Sequence, residues 1–280
     1  MVDTEFKGVA RPGVSHQFTS KLFAFEHTPQ KTSSSAQNII IFVGGLFDGL
    51  HTVPYASRLA DALPPSWTLA QAILSSSYTG WGISSLQKDV EELSDCVSYF
   101  RSIKPGKIVL MGHSTGCQDV LEYLTGPGHE NRKPIDGGLI QAAVSDREAI
   151  FTMMDPDTIK SVIFPCPVSA KRFLSLASPN HDGDDDYFSS DLTDDQLMKT
   201  FGSLPNSTPI CILLSGSDEY VQPDVDPAKL LARWIEIAKS GKGKVDENNS
   251  GVIEGATHNL AGNSESVVND LMKRVLGYWA

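Results

Sequence analysis

The sequence predicts an α/β fold in which helices cover both faces of a mostly parallel sheet. Apolar, β-branched runs have the composition of strands buried on both faces; they lie at residues 38–43, 107–111 and 209–214. Amphipathic helical patterns alternate with these runs, at residues 53–63 and 84–103, as is typical of parallel βαβ units. The chain has 280 residues, of which 40% are hydrophobic, so one domain with a sizeable core is expected.

Composition excludes several classes of protein. The formal net charge of −11 disfavours binding to nucleic acid and to anionic membranes, which carry the same sign. The first residues contain no apolar leader and no later stretch is long and apolar enough to span a membrane, so we expect a cytoplasmic protein, monomeric or weakly dimeric. The four cysteines are widely spaced, which indicates neither a zinc site nor a disulfide scaffold.

The amino-terminal part predicts one weak strand and one central strand. Residues 17–26 have a weak strand pattern, and residues 28–37 form a polar turn region with a serine run. The buried strand at residues 38–43 leads into a loop with little side-chain bulk at residues 44–49. The loop is either an ordinary glycine turn or a place where backbone N–H groups face a ligand.

The next strand is predicted at residues 67–74, and a small, polar loop follows it at residues 75–83. Tyr78 and Trp81 interrupt this loop. Ligands of parallel sheets bind outside the carboxyl ends of the strands, so these two aromatic side chains are candidates for substrate binding. The alternative is that they only pack the loop against the domain.

A strand, a tight turn and a helix follow one another without a gap from residue 107 to residue 124, around the motif Gly-His-Ser-Thr-Gly at 112–116. A serine at a strained strand-to-helix corner leaves no space for side chains two residues away, which explains Gly112 and Gly116. Ser114 is therefore the candidate nucleophile. The same motif can occur by chance, but the flanking strand and helix favour the functional interpretation.

The alternation of strands and helices breaks between residues 146 and 205. A strand at 137–144 precedes this stretch, which contains several prolines and the acidic run at residues 182–186. We expect an inserted lid within a single domain that spans residues 1–280. Acidic and aromatic residues of this lid are candidates for substrate binding: Asp184, Asp185, Asp186 and Tyr187. The alternative is a solvated, disordered loop.

A serine hydroxyl needs a base, and the base needs an acid that fixes its tautomer and stabilises its charged form. Asp218 follows the strand at residues 209–214, and His258 lies in a loop before the carboxy-terminal helix at 264–279. Glu219 and Asp146 are the alternative acids. His113 is expected to point away from Ser114.

The chain order Ser114, Asp218, His258 is the order found in α/β-hydrolases. In that fold, the oxyanion hole combines an N–H from the loop after the third strand with the N–H that follows the nucleophile, here Leu46 and Thr115. This chemistry requires no metal and no organic cofactor.

Four motifs carry a resemblance to the fungal siderophore-esterase family of α/β-hydrolases, long catalogued as a domain of unknown function. They lie at residues 42–50, 112–116, 144–149 and 184–192, and the resemblance spans nearly the whole chain. It implies hydrolysis of the ester bonds of a ferric hydroxamate siderophore of the fusarinine C type, with iron released inside the cell. The alternatives are a general carboxylesterase or thioesterase, and a ligand-binding protein with a vestigial triad.

The charge of the lid suggests which siderophore is preferred. Fusarinine C has free amino groups and is cationic, whereas its triacetylated relative is not. An acidic lid would attract the cationic form, so we expect residues 182–186 to favour it.

Overall fold

The computed structural model describes residues 9–29, 36–153, 155, 157 and 166–278. Within these residues, one sheet is built from the strands β1 (Gly13–Gln17), β2 (Phe23–His27), β3 (Asn38–Val43), β4 (Trp67–Ile73), β5 (Ile108–His113), β6 (Gly137–Gln141), β7 (Ile210–Ser215) and β8 (Gly251–Ile253). The strand order is β1-β2-β4-β3-β5-β6-β7-β8. The pairs β1/β2 and β2/β4 are antiparallel, and the other pairs are parallel.

Helices cover both faces of the sheet, as the sequence predicted. The described helices are α1 (Pro54–Ala62), α2 (Leu86–Ile103), α3 (Gly116–Thr125), α4 (Asp146–Glu148), α5 (Ala170–Ala177), α6 (Asp194–Lys199), α7 (Pro227–Ser240) and α8 (Glu265–Gly277). Short 3₁₀ turns lie at Tyr78–Ile83, His129–Asn131 and Phe201–Ser203, and a π-helical turn at Ala149–Met153. Helices α1 and α8 pack on one face, and α2, α3 and α7 pack on the other.

The central strand β3 shows why the sheet needs two apolar faces. Ile39 and Ile41 pack into the core beneath α2 and α3, whereas Ile40 and Phe42 pack into the core beneath α1 and α8. Successive side chains of a strand point to opposite faces, so a strand covered on both sides must be apolar at every position.

The weak strand expected at residues 17–26 is a hairpin instead. Strands β1 and β2 pair antiparallel, and a turn at residues 18–22 separates them. The Thr19 hydroxyl accepts a hydrogen bond from the Leu22 N–H at 2.9 Å, and the Phe18 N–H donates to the Leu22 carbonyl. Threonine at such a turn competes with the strand ladder for backbone donors, which explains the break. Of the polar turn region expected at 28–37, residues 30–35 lie outside the described residues.

The stretch between β6 and β7 carries α4, α5 and α6, and residues 146–205 are called the insertion below. Residues 154, 156 and 158–165 of the insertion lie outside the described residues. Among the residues described, no helix combines the length and the apolar character that a membrane span needs.

Candidate active site

Ser114 occupies the sharp corner between β5 and α3. Its backbone φ is +54°, a left-handed conformation that non-glycine residues rarely adopt and that costs about 1–3 kcal/mol. Two hydrogen bonds hold the corner: the Ser114 N–H donates to the Gln141 carbonyl at 3.0 Å, and the Cys117 N–H donates to the Ser114 carbonyl at 2.9 Å. The hydrogen bond to Gln141 of the neighbouring strand β6 therefore helps to hold Ser114 in this strained conformation.

The glycines of the motif leave room for this corner. A Cβ atom on Gly112 would lie 2.2 Å from the Gly116 carbonyl oxygen, and one on Gly116 would lie 2.6 Å from the carbonyl oxygens of Val43 and Gly44. No side chain fits at either position without moving backbone. The close approach of the two backbones is the physical reason for the glycine spacing in the sequence.

His258 and Asp218 form a directly bonded pair. The two Asp218 carboxylate oxygens lie 3.0 and 2.8 Å from His258 Nδ1. The Asp218 side chain is 1% exposed, and its Oδ1 also accepts the Tyr220 N–H at 3.0 Å. A carboxylate on Nδ1 fixes the tautomer in which Nε2 carries the free lone pair, the arrangement of a general base.

Ser114 and His258 line one cavity of about 200 Å³ at the carboxyl end of the sheet. Its walls are formed by Leu46, Phe47, Asp48, His113, Ser114, Val144, Asp146, Ala149, Ile150, Tyr220, His258 and Asn259. In the described part of the chain, no hydrogen bond joins Ser114 Oγ to the His258 ring. Nucleophile and base commonly tighten their contact only when substrate binds.

The loop after β3 lies directly against the nucleophile. A Cβ on Gly45 would lie 2.5 Å from the Ser114 Cβ, so only glycine fits there. The Gly45 N–H donates to Asp48 Oδ2 at 2.8 Å and is occupied. Among the described residues, neither the Leu46 N–H nor the Thr115 N–H has a hydrogen-bond partner, and Thr115 caps the amino-terminal end of α3, the positive end of the helix dipole. These two N–H groups are available for an oxyanion.

Tyr78 braces this loop. Its hydroxyl accepts the Leu50 N–H at 2.9 Å, and its own N–H donates to the Asp48 carbonyl at 2.7 Å. The Thr52 hydroxyl adds a bond to Asp48 Oδ1 at 2.7 Å. Tyr78 is half exposed and is not among the residues that line the cavity, so these contacts support the loop and its predicted contact with substrate stays a prediction.

Trp81 is also absent from the cavity wall. Its side chain is 2% exposed and packs edge-on against the Phe47 ring at 5.2 Å between centroids. Leu176 and Ala177 of α5 complete this small apolar cluster. The burial of Trp81 favours the alternative interpretation of the sequence, in which the aromatic residue packs the loop against the domain.

The acidic run is largely paired internally and none of it lines the cavity. Asp185 is buried, and both of its oxygens accept from Arg172 Nη1 at 2.7 Å. Asp186 lies 2.8 Å from His181 Nδ1, and the Tyr187 hydroxyl donates to Glu122. A buried carboxylate must be paired or neutralised, which explains these contacts. A further member of the run, Asp184, is exposed.

The two alternative acids have other partners. Glu219 Oε2 accepts the backbone N–H of His258 at 2.8 Å, so it holds the loop that carries the imidazole but does not reach the ring. Asp146 lines the cavity, and its carboxylate accepts from the Gln118 amide at 3.0 Å. Asp218 is the acid in contact with His258 Nδ1.

One aromatic residue near His258 was missed by the sequence analysis. The Tyr220 ring meets the imidazole edge-on at 4.7 Å between centroids. Its position two residues after Asp218 was the only available signal. The His113 ring lies 4.9 Å from the imidazole, and His113 is among the residues that line the cavity. The direction of its side chain relative to that of Ser114 stays a prediction.

His113 is held neutral by its surroundings. Burial, followed by the neighbouring His258, lowers the pKa of His113 to about 3. Its Nδ1 donates to Gln141 Oε1 at 2.7 Å. The same amide oxygen accepts the Tyr55 hydroxyl at 2.8 Å, and the amide nitrogen donates to the Ser215 hydroxyl at 3.1 Å. Gln141 thus joins α1, β5 and β7 beneath the cavity.

Comparison with known proteins gives matches along nearly the whole chain. The family described as "Protein of unknown function (DUF1749)" matches residues 6–163 and 152–280. Fusarinine C esterase sidJ of Aspergillus fumigatus is 36% identical over 95% of each chain. Esterase AN6793 of Emericella nidulans is 34% identical over 90% of this chain and 87% of the relative.

Solved structures confirm the fold class expected from the sequence. Siderophore hydrolase EstB from Aspergillus fumigatus superimposes with a TM-score of 0.85 and 37% identity over 96% of this chain and 97% of that one. A monoglyceride lipase from Saccharomyces cerevisiae, with a TM-score of 0.58 and 13% identity over 99% and 97% of the two chains, shares the fold alone. The chain has an α/β-hydrolase fold.

Proposed function

The chain belongs to the DUF1749 family, and two of the relatives to which it is similar are named esterases. We propose that it is a serine esterase for the ester bonds of a ferric hydroxamate siderophore of the fusarinine C type. The observation that supports this most is the Asp218–His258 pair in the cavity that Ser114 lines. The similarity to a fusarinine C esterase and to a siderophore hydrolase supports the substrate class.

In the proposed reaction, Ser114 Oγ attacks the ester carbonyl carbon while His258 Nε2 accepts the hydroxyl proton. Asp218 stabilises the resulting imidazolium through Nδ1. The imidazolium then gives its proton to the departing alkoxide, and the acyl group remains on Ser114. Water, deprotonated by the same histidine, hydrolyses this acyl-enzyme and restores the serine.

The negative charge of each tetrahedral intermediate falls on the former carbonyl oxygen. The free N–H groups of Leu46 and Thr115 are proposed to hold it, aided by the positive end of α3. A cationic neighbour would oppose the charging of His258. Because the pKa of His113 is lowered to about 3, that ring stays neutral throughout.

The insertion at residues 146–205 is proposed to act as the lid. It contributes Asp146, Ala149 and Ile150 to the cavity wall. In this proposal, the insertion supplies the cavity wall that selects the substrate, whereas Ser114, Asp218 and His258 lie at or after the ends of the strands. We place the release of iron from the opened siderophore in the cytoplasm, and localisation of the tagged chain tests that assignment.

The function is tested with purified protein and ferric fusarinine C, followed by mass spectrometry of the products. We expect cleavage by the wild type and by Ser207→Ala, a matched change of an exposed serine, and none by Ser114→Ala. Labelling by a fluorophosphonate should be lost with Ser114→Ala. Turnover of a nitrophenyl ester alone would leave a general esterase, and siderophore binding without turnover would indicate a binding protein.

A further inference from the structure

Asp146 is a half-buried residue whose carboxyl group lies in the wall of the reaction cavity. Its polar contacts are the Gln118 Nε2 donor at 3.0 Å and the Thr115 hydroxyl at 3.4 and 3.5 Å from its two oxygens. Both donors are neutral. Thr115 directly follows Ser114, so this carboxyl group lies close to the place where the ester carbonyl must sit.

The amide that contacts Asp146 leaves an acceptor unused. Gln118 is 1% exposed, and among the described residues its Oε1 is one of few buried side-chain atoms with no hydrogen-bond partner. The two ends of a carboxamide are close together, so this oxygen lies near the carboxylate that the amide nitrogen contacts. An orphaned buried acceptor costs about 1–3 kcal/mol, which a bound donor would recover.

The arginine that acts on Asp146 electrostatically is already paired. The hydrogen bonds of Arg172 go to Asp185 and to the Trp81 carbonyl. Burial raises the pKa of the neighbouring Asp89 and Asp119, which holds these two carboxyl groups toward their neutral forms. Among the described residues, no cationic side chain donates a hydrogen bond to Asp146, so its carboxylate is left for an incoming positive charge.

We propose that Asp146 and Gln118 form a subsite for a primary ammonium group on the acyl part of the substrate, close to the ester carbonyl. A primary ammonium has three N–H donors, which match the carboxylate and the unused amide oxygen. Acetylation removes the charge and adds bulk inside a cavity of about 200 Å³. The subsite would thus favour cationic siderophores over acetylated ones, the same preference that the sequence analysis expected from residues 182–186.

The inference rests on the proposed role of Ser114, so its test uses covalent capture of that serine. The probes are two diphenyl alkylphosphonates, one with a primary amine on the carbon beside phosphorus and one with that amine acetylated. Ser114 Oγ forms a bond to phosphorus, phenoxide leaves, and the serine proton passes to His258. The readout is the rate of labelling at pH 8, measured by mass spectrometry of the intact protein.

The quantity compared is the ratio of the two labelling rates, amine over acetylated amine. We expect Asp146→Asn to lower this ratio about tenfold, since a hydrogen-bonded charge is lost. Asp224→Asn removes the same charge from an exposed side chain outside the cavity and should leave the ratio unchanged. Gln118→Met should lower it about threefold and provides a second variant if Asp146→Asn folds poorly.

An unchanged ratio in both the Asp146 and the Gln118 variant would overturn the subsite, and so would failure of wild-type protein to react with either phosphonate. Siderophore hydrolysis is measured on the same samples. If the ratio of labelling rates changes in the variants as expected but the wild type does not cleave the siderophore, the proposed substrate is wrong and the subsite stands. If the wild type cleaves the siderophore but the ratio does not change in the variants, the subsite is wrong and the proposed function stands.

Discussion

The two sides of the reaction cavity hold carboxyl groups in different ways. On the side of β7 and β8, Asp218 accepts from the His258 ring and from the Tyr220 N–H, so its charge is committed to the base. On the insertion side, the hydrogen bonds that Asp146 accepts within the described residues come from neutral donors. In the proposed mechanism, Asp218 serves every ester, whereas Asp146 is left for a particular ligand.

Amide substitution separates the two roles. Asp218→Asn should lower kcat by about 10⁴-fold because the wrong histidine tautomer is then favoured. Asp146→Asn should cost about tenfold, and only toward substrates that carry an ammonium. Steady-state kinetics with an uncharged nitrophenyl ester checks this. Equal losses in the two variants would mean that Asp146 belongs to the catalytic machinery.

The insertion should be held in its own fold chiefly by its buried ion pair between Arg172 and Asp185. Arg172→Met leaves Asp185 buried without its cation, and we expect a loss of about 3–5 kcal/mol in the free energy of unfolding, measured in urea. Arg233→Met is the matched control, since the Arg233 pair with Asp194 is exposed at 33% and 70% and should contribute at most about 1 kcal/mol. Similar losses would show that burial does not distinguish them.

The preference for ammonium substrates should depend on pH. Burial, with a contribution from Asp185, raises the pKa of Asp146 to about 7, while Arg172, Gln118 and His258 act in the opposite direction. The group is neutral below this pKa and charged above it. Preference for the amine phosphonate over its acetylated form should therefore rise, by up to about tenfold, between pH 6 and pH 8. In Asp146→Asn this rise should vanish.

Support of the oxyanion loop should have the smallest effect. Tyr78→Phe removes the hydroxyl that accepts the Leu50 N–H but keeps the ring against Gly49. We expect a fall in kcat of about two- to fivefold with little change in KM, since one neutral hydrogen bond contributes about 1 kcal/mol. A change confined to KM would instead favour direct contact with substrate.

The positions of Ser114, His258 and Asp218 could be predicted because local signals carry them. A glycine pattern between a strand and a helix, and polar residues after two strands, are visible without tertiary information. The contacts around these three residues could not be predicted from local sequence patterns. Arg172 finds Asp185 thirteen residues away only because α5 folds back over the acidic run, and no periodicity reports that contact.

The turn between β1 and β2 escaped the sequence analysis. The hairpin was interpreted as one weak strand because its turn contains neither glycine nor proline. The strand pattern expected at residues 17–26 therefore ran across the turn at residues 18–22.

The hydrogen bonds of Gln141 are separate from the insertion, which bears on how related proteins can differ. Its side chain links Tyr55, His113 and Ser215, and its carbonyl accepts the Ser114 N–H. Within the described residues, none of these hydrogen bonds reaches the insertion. Related proteins could therefore differ in the residues of the insertion, and so in the esters that they prefer, without losing the hydrogen bonds that Gln141 makes beneath the cavity.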